Sequence, residues 1–265
     1  NTAMSIAIPA RASAVVIGGG VIGSSVAYHL AKLGWSDVVQ LERNQFSCGT
    51  TWHAAGLVGT MRANESHARL CEYSMAVLSE LEAETGQSTG FRQVGSLTIA
   101  HSAARFEELK RVAAMNNAFG VTRVDMVTPE EIKSLYPYLE TGDLLGGSWV
   151  AQDGTASPVD VTQAFVKGAR GRGALCLEGV RVTGITQANG RVTGVITDQG
   201  EIQADYVVNC GGLWGREIGR MAGVNVPLHA CEHYYAHTEK LDDLPANLPV
   251  MRDHDKCAYY RQFTA

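Results

Sequence analysis

Ala14-Val15-Val16-Ile17-Gly18-Gly19-Gly20-Val21-Ile22-Gly23 decides the fold. The opening four residues are a short unbroken apolar run, which predicts a strand buried on both faces. The glycines break it, and Val21, Ile22, Val26, Leu30 and Leu33 then recur at helical spacing until Gly34. Asp37 to Leu41 returns to a strand, with Glu42 at its end. In this setting Gly18-x-Gly20-x-x-Gly23 is a dinucleotide fingerprint. The first glycine permits the turn, the second lets a pyrophosphate approach the backbone, and the third lets helix pack on strand. The helix end, opened by Val21 and Ile22, offers amides and partial positive charge, and Glu42 is placed to accept from a ribose hydroxyl.

The remaining composition suits an α/β enzyme. With 265 residues, 45% hydrophobic and 18% charged, the chain can bury a large core as one domain or two. A net charge of −5 without a basic stripe argues against nucleic acid or anionic membrane as a partner. No apolar run approaches the ~18 residues of a bilayer span. The first residues lack the apolar core and cleavage site of a signal peptide. Cys48, Cys71, Cys176, Cys210, Cys231 and Cys257 form no C-x-x-C pair and read as reduced thiols of a reducing compartment. A start at Asn1 instead of methionine is what an excised segment would show.

Further along, Glu65 to Glu84 and His101 to Phe119 read as long helices, with a strand from Phe91 to Ala100 between them. Thr128-Pro129-Glu130-Glu131 and Ser157-Pro158-Val159-Asp160 each open a helix, the second running to about Arg170. Arg181 to Gln187 and Arg191 to Thr197 alternate around Asn189-Gly190, a hairpin signal. A buried-type strand from Asp205 to Asn209 enters Gly211-Gly212 and a helix from Leu213 to Met221; Val226 to His237 is again extended.

A resemblance covers nearly the whole chain, from about Ala12 to Gln262. The order of segments, with the hairpin and the Gly211-Gly212 turn far downstream of Glu42-Arg43, resembles the FAD-dependent D-amino-acid oxidase-like superfamily. Within it, Gly49-Thr50-Thr51-Trp52-His53-Ala54-Ala55-Gly56-Leu57 is very similar to the sarcosine and dimethylglycine dehydrogenase family. Gly147-Ser148-Trp149, Asp153-Gly154, Ala156-Ser157-Pro158, Asn209-Cys210-Gly211-Gly212-Leu213-Trp214 and Glu232-His233-Tyr234 agree with it. The resemblance implies an α/β fold: a Rossmann-like FAD-binding domain over 12–90 and 152–222, with an interleaved α+β substrate domain over 91–151 and 223–265. It implies that the C-terminal closing segment over the flavin is missing here. It also implies FAD bound covalently at His53, adenine against the backbone near Val182, and the pyrophosphate near Gly211, Gly212, Leu213 and Trp214. Tetrahydrofolate would enter through a further C-terminal domain. Electrons would pass to a carrier flavoprotein or oxygen, in bacterial cytoplasm or the mitochondrial matrix.

The residues themselves support part of this. A neutral imidazole is a nucleophile, and the small residues flanking His53 leave room for a flat ring. His229-x-x-Glu232-His233, with His237, has the spacing of an inverted zinc-protease motif. On a strand, however, residues four apart stand ~13 Å apart, too far for one metal, so no metal site is expected. His233 instead resembles the family's substrate-pocket histidine, acting with Tyr259 (Tyr260 is the neighbouring choice) to orient an amine and favour its neutral form. Arg252 and Arg261 are the nearest candidates for pairing with a substrate carboxylate. The expected reaction is hydride transfer from an N-methyl carbon of sarcosine or dimethylglycine to FAD. The rivals are an NAD-dependent dehydrogenase and a non-catalytic regulatory subunit retaining the fold, of the kind that the family includes beside a mitochondrial phosphatase.

Overall fold

The apolar runs become the centre of a sheet and the helical periodicities become its cover. The computed structural model describes residues 7–263; the first six residues, part of the stretch read for a signal peptide, and the last two of the 223–265 segment lie outside them. In chain order come β1 (Arg11–Ile17), α1 (Val21–Lys32), β2 (Val38–Leu41), β3 (Leu57–Val58), α2 (Glu65–Thr85) and β4 (Ser96–Ala100). Next are α3 (Ala103–Phe119), β5 (Asp125–Val127), α4 (Pro129–Leu135), β6 (Gly146–Val150), β7 (Gly154–Thr155) and α5 (Pro158–Gly171). β8 (Leu175–Leu177), β9 (Val182–Ala188), β10 (Arg191–Thr197), β11 (Gly200–Asn209), α6 (Gly215–Met221), β12 (Val250–Asp253) and β13 (Ala258–Tyr260) follow. The chain divides into two units: Asn1–Ala54, Leu81–Thr89 and Pro158–Tyr235 form the first, and Ala55–Glu80, Gly90–Ser157 and Ala236–Ala265 the second.

The first unit holds a sheet in the order β8-β2-β1-β11-β10-β9. β1 pairs in parallel with β2 and β11, whereas β9, β10 and β11 form an antiparallel meander. A parallel pair needs a crossover, which α1 supplies between β1 and β2. Val15 and Val16, side by side on opposite faces of β1, are both 0% exposed, and burying such a side chain is worth about 1.5–3 kcal/mol. Gly168 of α5 makes room for the Tyr28 ring of α1, since a Cβ there would lie 2.8 Å from it. The hairpin turns at Asn189 (φ 52) and Gly190 (φ 73), the left-handed pair that a tight hairpin demands.

The second unit holds a sheet in the order β13-β12-β4-β6-β5, parallel at β12–β4 and antiparallel elsewhere. Leu97, Ile99 and Met251 on one face pack with Ile132 of α4. Thr128 and Glu131 close a capping box at the start of α4, with Pro129 at its entry.

Three expectations change. The strand expected from Phe91 starts only at Ser96, because Gly95 turns at φ 80 and Arg92 bridges Thr155 instead. The helix expected from Leu213 begins as a 3-10 turn over Gly212–Trp214 before α6. Val226 to His237 carries no regular element. Apolar alternation alone does not make a strand when no ladder takes up its backbone groups. The strand spacing argued against zinc therefore does not apply there; among the described residues, no group of three or more His, Cys, Asp or Glu could hold a metal. All six cysteines are free, and no described helix is long and apolar enough to cross a membrane.

Candidate functional site

In the first unit the fingerprint glycines are demanded by close approach. A Cβ at Gly18 (φ 121) would lie 2.3 Å from the Cys210 carbonyl oxygen, and one at Gly23 would lie 2.1 Å from that of Gly18. One at Gly20 would lie 2.9 Å from the Thr51 hydroxyl. Gly19, which the fingerprint leaves open, is equally constrained: its Cβ would meet the Glu42 side chain at 2.6 Å and Phe46 at 2.7 Å. Glu42 accepts from the Gly19 amide at 2.7 Å on Oε2, and from the Asn44 amide at 2.9 Å and the Cys48 thiol at 3.9 Å on Oε1, so Oε2 keeps a further acceptor direction. The N-cap Gly20 gives α1 no side-chain cap. A bare glycine turn, a helix end with that turn before it, and an acid beyond the second strand fit a dinucleotide.

The following loop folds back on this turn. Ser47, buried at φ 68, donates its amide to the Gly19 carbonyl at 2.8 Å. Thr51–His53 form a 3-10 turn, and the Thr51 hydroxyl accepts from the Val21 amide at 3.1 Å. The Trp52 and His53 rings stack at 3.6 Å between centroids. The Arg43 guanidinium lies 4.1 Å over the Trp214 ring, which a Cβ at Gly49 would touch at 3.5 Å. A Cβ at Gly212 would lie 3.9 Å from the Thr50 hydroxyl. Arg43, Gly49, Thr50, Gly212 and Trp214, scattered in sequence, thus meet. Asn209 holds their turn, accepting from the Gly211 amide at 3.1 Å and donating to the Gly215 carbonyl at 2.7 Å. Burial pushes the Cys210 thiol up. Ile22 and Leu213 are exposed.

Other expected positions fall differently. Val182 begins the edge strand β9; the residue tied to Glu42 is Val180, whose amide donates to the Glu42 carbonyl at 2.9 Å. His233 is exposed on the irregular stretch, and it is Tyr235 whose hydroxyl stands 3.5 Å from His53 Nδ1. Ala54 ends the first segment of the first unit, so Ala55, Gly56 and Leu57 belong to the second.

In the second unit Leu57 pairs with Thr155, and Arg261 donates to the carbonyls of Ala55 and Ala156. Arg261 is therefore engaged by backbone through Nη1, while its buried Nε has no hydrogen-bond partner among the described residues. Tyr259, Arg252, Thr98 and Ser148 are successive cross-strand partners, so they share one face of the sheet. Burial holds Arg252 below the ordinary guanidinium range against the pull of Asp153, and Arg62 adds a second positive charge nearby. No side chain or carbonyl among the described residues hydrogen-bonds or ion-pairs with the Arg252 guanidinium. Asp153, 1% exposed, accepts from the Thr60 amide (2.9 Å), the Thr60 hydroxyl (2.6 Å) and the Ser96 hydroxyl (2.5 Å). Sequence reading passed over Gly19, Val180, Asn209, Tyr235 and Arg62 as site residues. The three-glycine run was the signal for the first; Asn209 acts on the glycine turn just after it, and the others depend on contacts between distant segments.

Residues 13–264 match the family model described as FAD dependent oxidoreductase, and the chain belongs to that family. It is 44% identical over 260 residues to mitochondrial sarcosine dehydrogenase of Homo sapiens, covering 96% of this chain and 28% of that protein. It is 38% identical over 264 residues to the mitochondrial pyruvate dehydrogenase phosphatase regulatory subunit of Mus musculus, covering 98% and 30%. A solved structure of L-proline dehydrogenase from P. horikoshii superposes with a TM-score of 0.84 at 26% identity, covering 97% of this chain and 68% of that one. The chain spans about 30% of the length of the curated relatives named here.

Proposed function

We propose that the full-length protein is an FAD-dependent amine oxidoreductase acting on a small N-methyl amino acid, sarcosine or dimethylglycine. The observation that carries the substrate half is Arg252. It is a half-buried guanidinium with no hydrogen-bond acceptor among the described residues, beside Tyr259 on one sheet face. A guanidinium offers its donors in a planar fork, which suits a planar carboxylate. FAD, when bound, supplies the acceptor for the hydride. The chain's own residues hold and orient. The glycine turn and α1 receive the pyrophosphate, Glu42 the ribose, and the Thr51–His53 turn the ring system, with His53 as covalent tether. Arg252 fixes the carboxylate end of the substrate, and Tyr259 and His233 orient its amine in the neutral form. Similarity to sarcosine dehydrogenase supports the substrate class. Transfer of the one-carbon unit to tetrahydrofolate, and the electron acceptor, rest on the family resemblance and on residues outside this chain.

A second reading is favoured by the similarity to a phosphatase regulatory subunit: a flavoprotein fold kept without turnover. Acid precipitation of the full-length protein, followed by a denaturing gel viewed for flavin fluorescence, separates the claims. Fluorescence on the wild-type band and not on His53→Ala is expected. Flavin released wholly from wild type sinks the tether. Absence of flavin, with no turnover of any N-methyl amino acid, supports the regulatory reading.

A further inference from the structure

Taking Arg252 as the carboxylate anchor proposed above, we propose that Gly59 and Asp153 are positioning residues for it, the first by leaving a seat for the guanidinium and the second by holding that seat in place. A Cβ at Gly59 would lie 2.9 Å from Arg252 Nη2, 3.3 Å from Nη1 and 3.3 Å from Asp153 Oδ2. The guanidinium therefore occupies the space that any other residue at 59 would fill. Gly59 is buried, and the next residue, Thr60, is 0% exposed with both its amide and its hydroxyl on Asp153 Oδ1. The Ser96 hydroxyl takes the other carboxylate oxygen, and the Gly95 amide donates to the Asp153 carbonyl at 2.8 Å. Asp153 thus ties the Gly59-Thr60 backbone to the start of β4, next to the strand that carries Arg252.

All three donors on the Asp153 carboxylate are uncharged. Its negative charge is left to act on Arg252, which it helps keep charged. The near miss is what makes this a seat and not an ion pair. A direct pair would consume the fork that a ligand carboxylate needs, whereas a carboxylate held by three neutral donors attracts the guanidinium and leaves its donors available. Bidentate recognition requires the plane of the fork to be fixed, and small displacements are costly.

The test uses the full-length protein and two substrates: an N-methyl amino acid and an N-methylalkylamine of equal length lacking the carboxylate. Gly59→Ala displaces a flexible guanidinium and not backbone. KM for the amino acid should rise about tenfold, with kcat changed far less and the preference over the alkylamine reduced. The flavin absorption spectrum should stay as in wild type. Asp153→Asn, which keeps partners for Thr60 and Ser96, should move KM and preference in the same direction and decides the matter if Gly59→Ala does not fold. Wild-type KM and preference in both variants, while Arg252→Met loses them, overturns this inference and leaves the anchor intact. Wild-type behaviour of Arg252→Met overturns the anchor and this inference together.

Discussion

The hydroxyl of Thr51 accepts the amide of Val21 at 3.1 Å, so the loop that ends in His53 caps the helix that begins at the glycine turn. Gly20, in the N-cap position, has no side chain to do so. The same hydroxyl sits 2.9 Å from where a Cβ at Gly20 would be, so a side chain at position 20 would press on the group that caps the helix. Thr51→Val keeps the shape and removes the acceptor. Loss of a cap costs about 0.5–2 kcal/mol; a lower urea midpoint with an unchanged slope is expected, together with reduced flavin content. Thr51→Ser should restore both.

The glycine turn gives a sharper outcome. A Cβ at Gly23 would fall 2.1 Å from the Gly18 carbonyl oxygen, with the Cys210 side chain at 3.3 Å. The obstacle is backbone, so nothing flexible can yield. Gly23→Ala should therefore yield protein without flavin and with a lowered melting temperature, read by the visible flavin absorbance per protein and by circular dichroism. Gly34→Ala is the control for losing a glycine as such: at φ 87, with no atom within 4 Å of its Cβ, it is strained but unobstructed, and flavin content should be kept.

Local chemistry made the first unit readable. A buried run, a glycine break and a helical period define β1-α1-β2 within a single stretch, and Asn189-Gly190 announces its hairpin by needing left-handed φ. What decided Val226 to His237 was non-local. Its pattern suits a strand, yet no described strand pairs with it, and it stays irregular. The candidate site divides in the same way. The positions of Gly18, Gly20, Gly23 and Glu42 follow from one βαβ stretch, whereas the row Tyr259, Arg252, Thr98 and Ser148 exists only through strand register. A one-residue slip would turn Arg252 to the opposite face. Arg261 was indistinguishable from Arg252 in sequence, and only the fold shows that its Nη1 is taken by the Ala55 and Ala156 carbonyls.

Asp153 makes a pH prediction. Burial raises its carboxyl above the ordinary 3.8, against the hydrogen bonds from Ser96 and Thr60 and the charge of Arg252. A raised carboxyl binds its proton more tightly folded than unfolded. Its contribution to stability is therefore complete below the unfolded value and is lost as pH rises through the folded one. Asp153→Asn does not ionise and escapes that loss. The melting temperature of the variant minus that of wild type should become more positive between about pH 4 and about pH 7. A difference that stays flat or falls over this interval contradicts the raised carboxyl.

Arg252 is the residue on which the substrate reading depends, and lysine is its most informative replacement. Arg252→Lys keeps a positive charge on the same sheet face, opposite Tyr259 and beside Thr98. It loses the planar fork, and a buried ammonium gives up its charge more readily than a guanidinium does. If the fork grips a carboxylate, loss of one charge-assisted hydrogen bond, about 1.5–3 kcal/mol, should raise KM roughly ten- to a hundredfold with a smaller change in kcat. Because Arg252 is desolvated by burial, the lysine variant should also lose affinity as pH rises, where wild type does not. Steady-state kinetics with sarcosine and with dimethylglycine, at two pH values in the full-length protein, read both effects. Equal KM in variant and wild type at both pH values would remove the carboxylate role from Arg252 and leave the guanidinium as a structural cation beside Asp153.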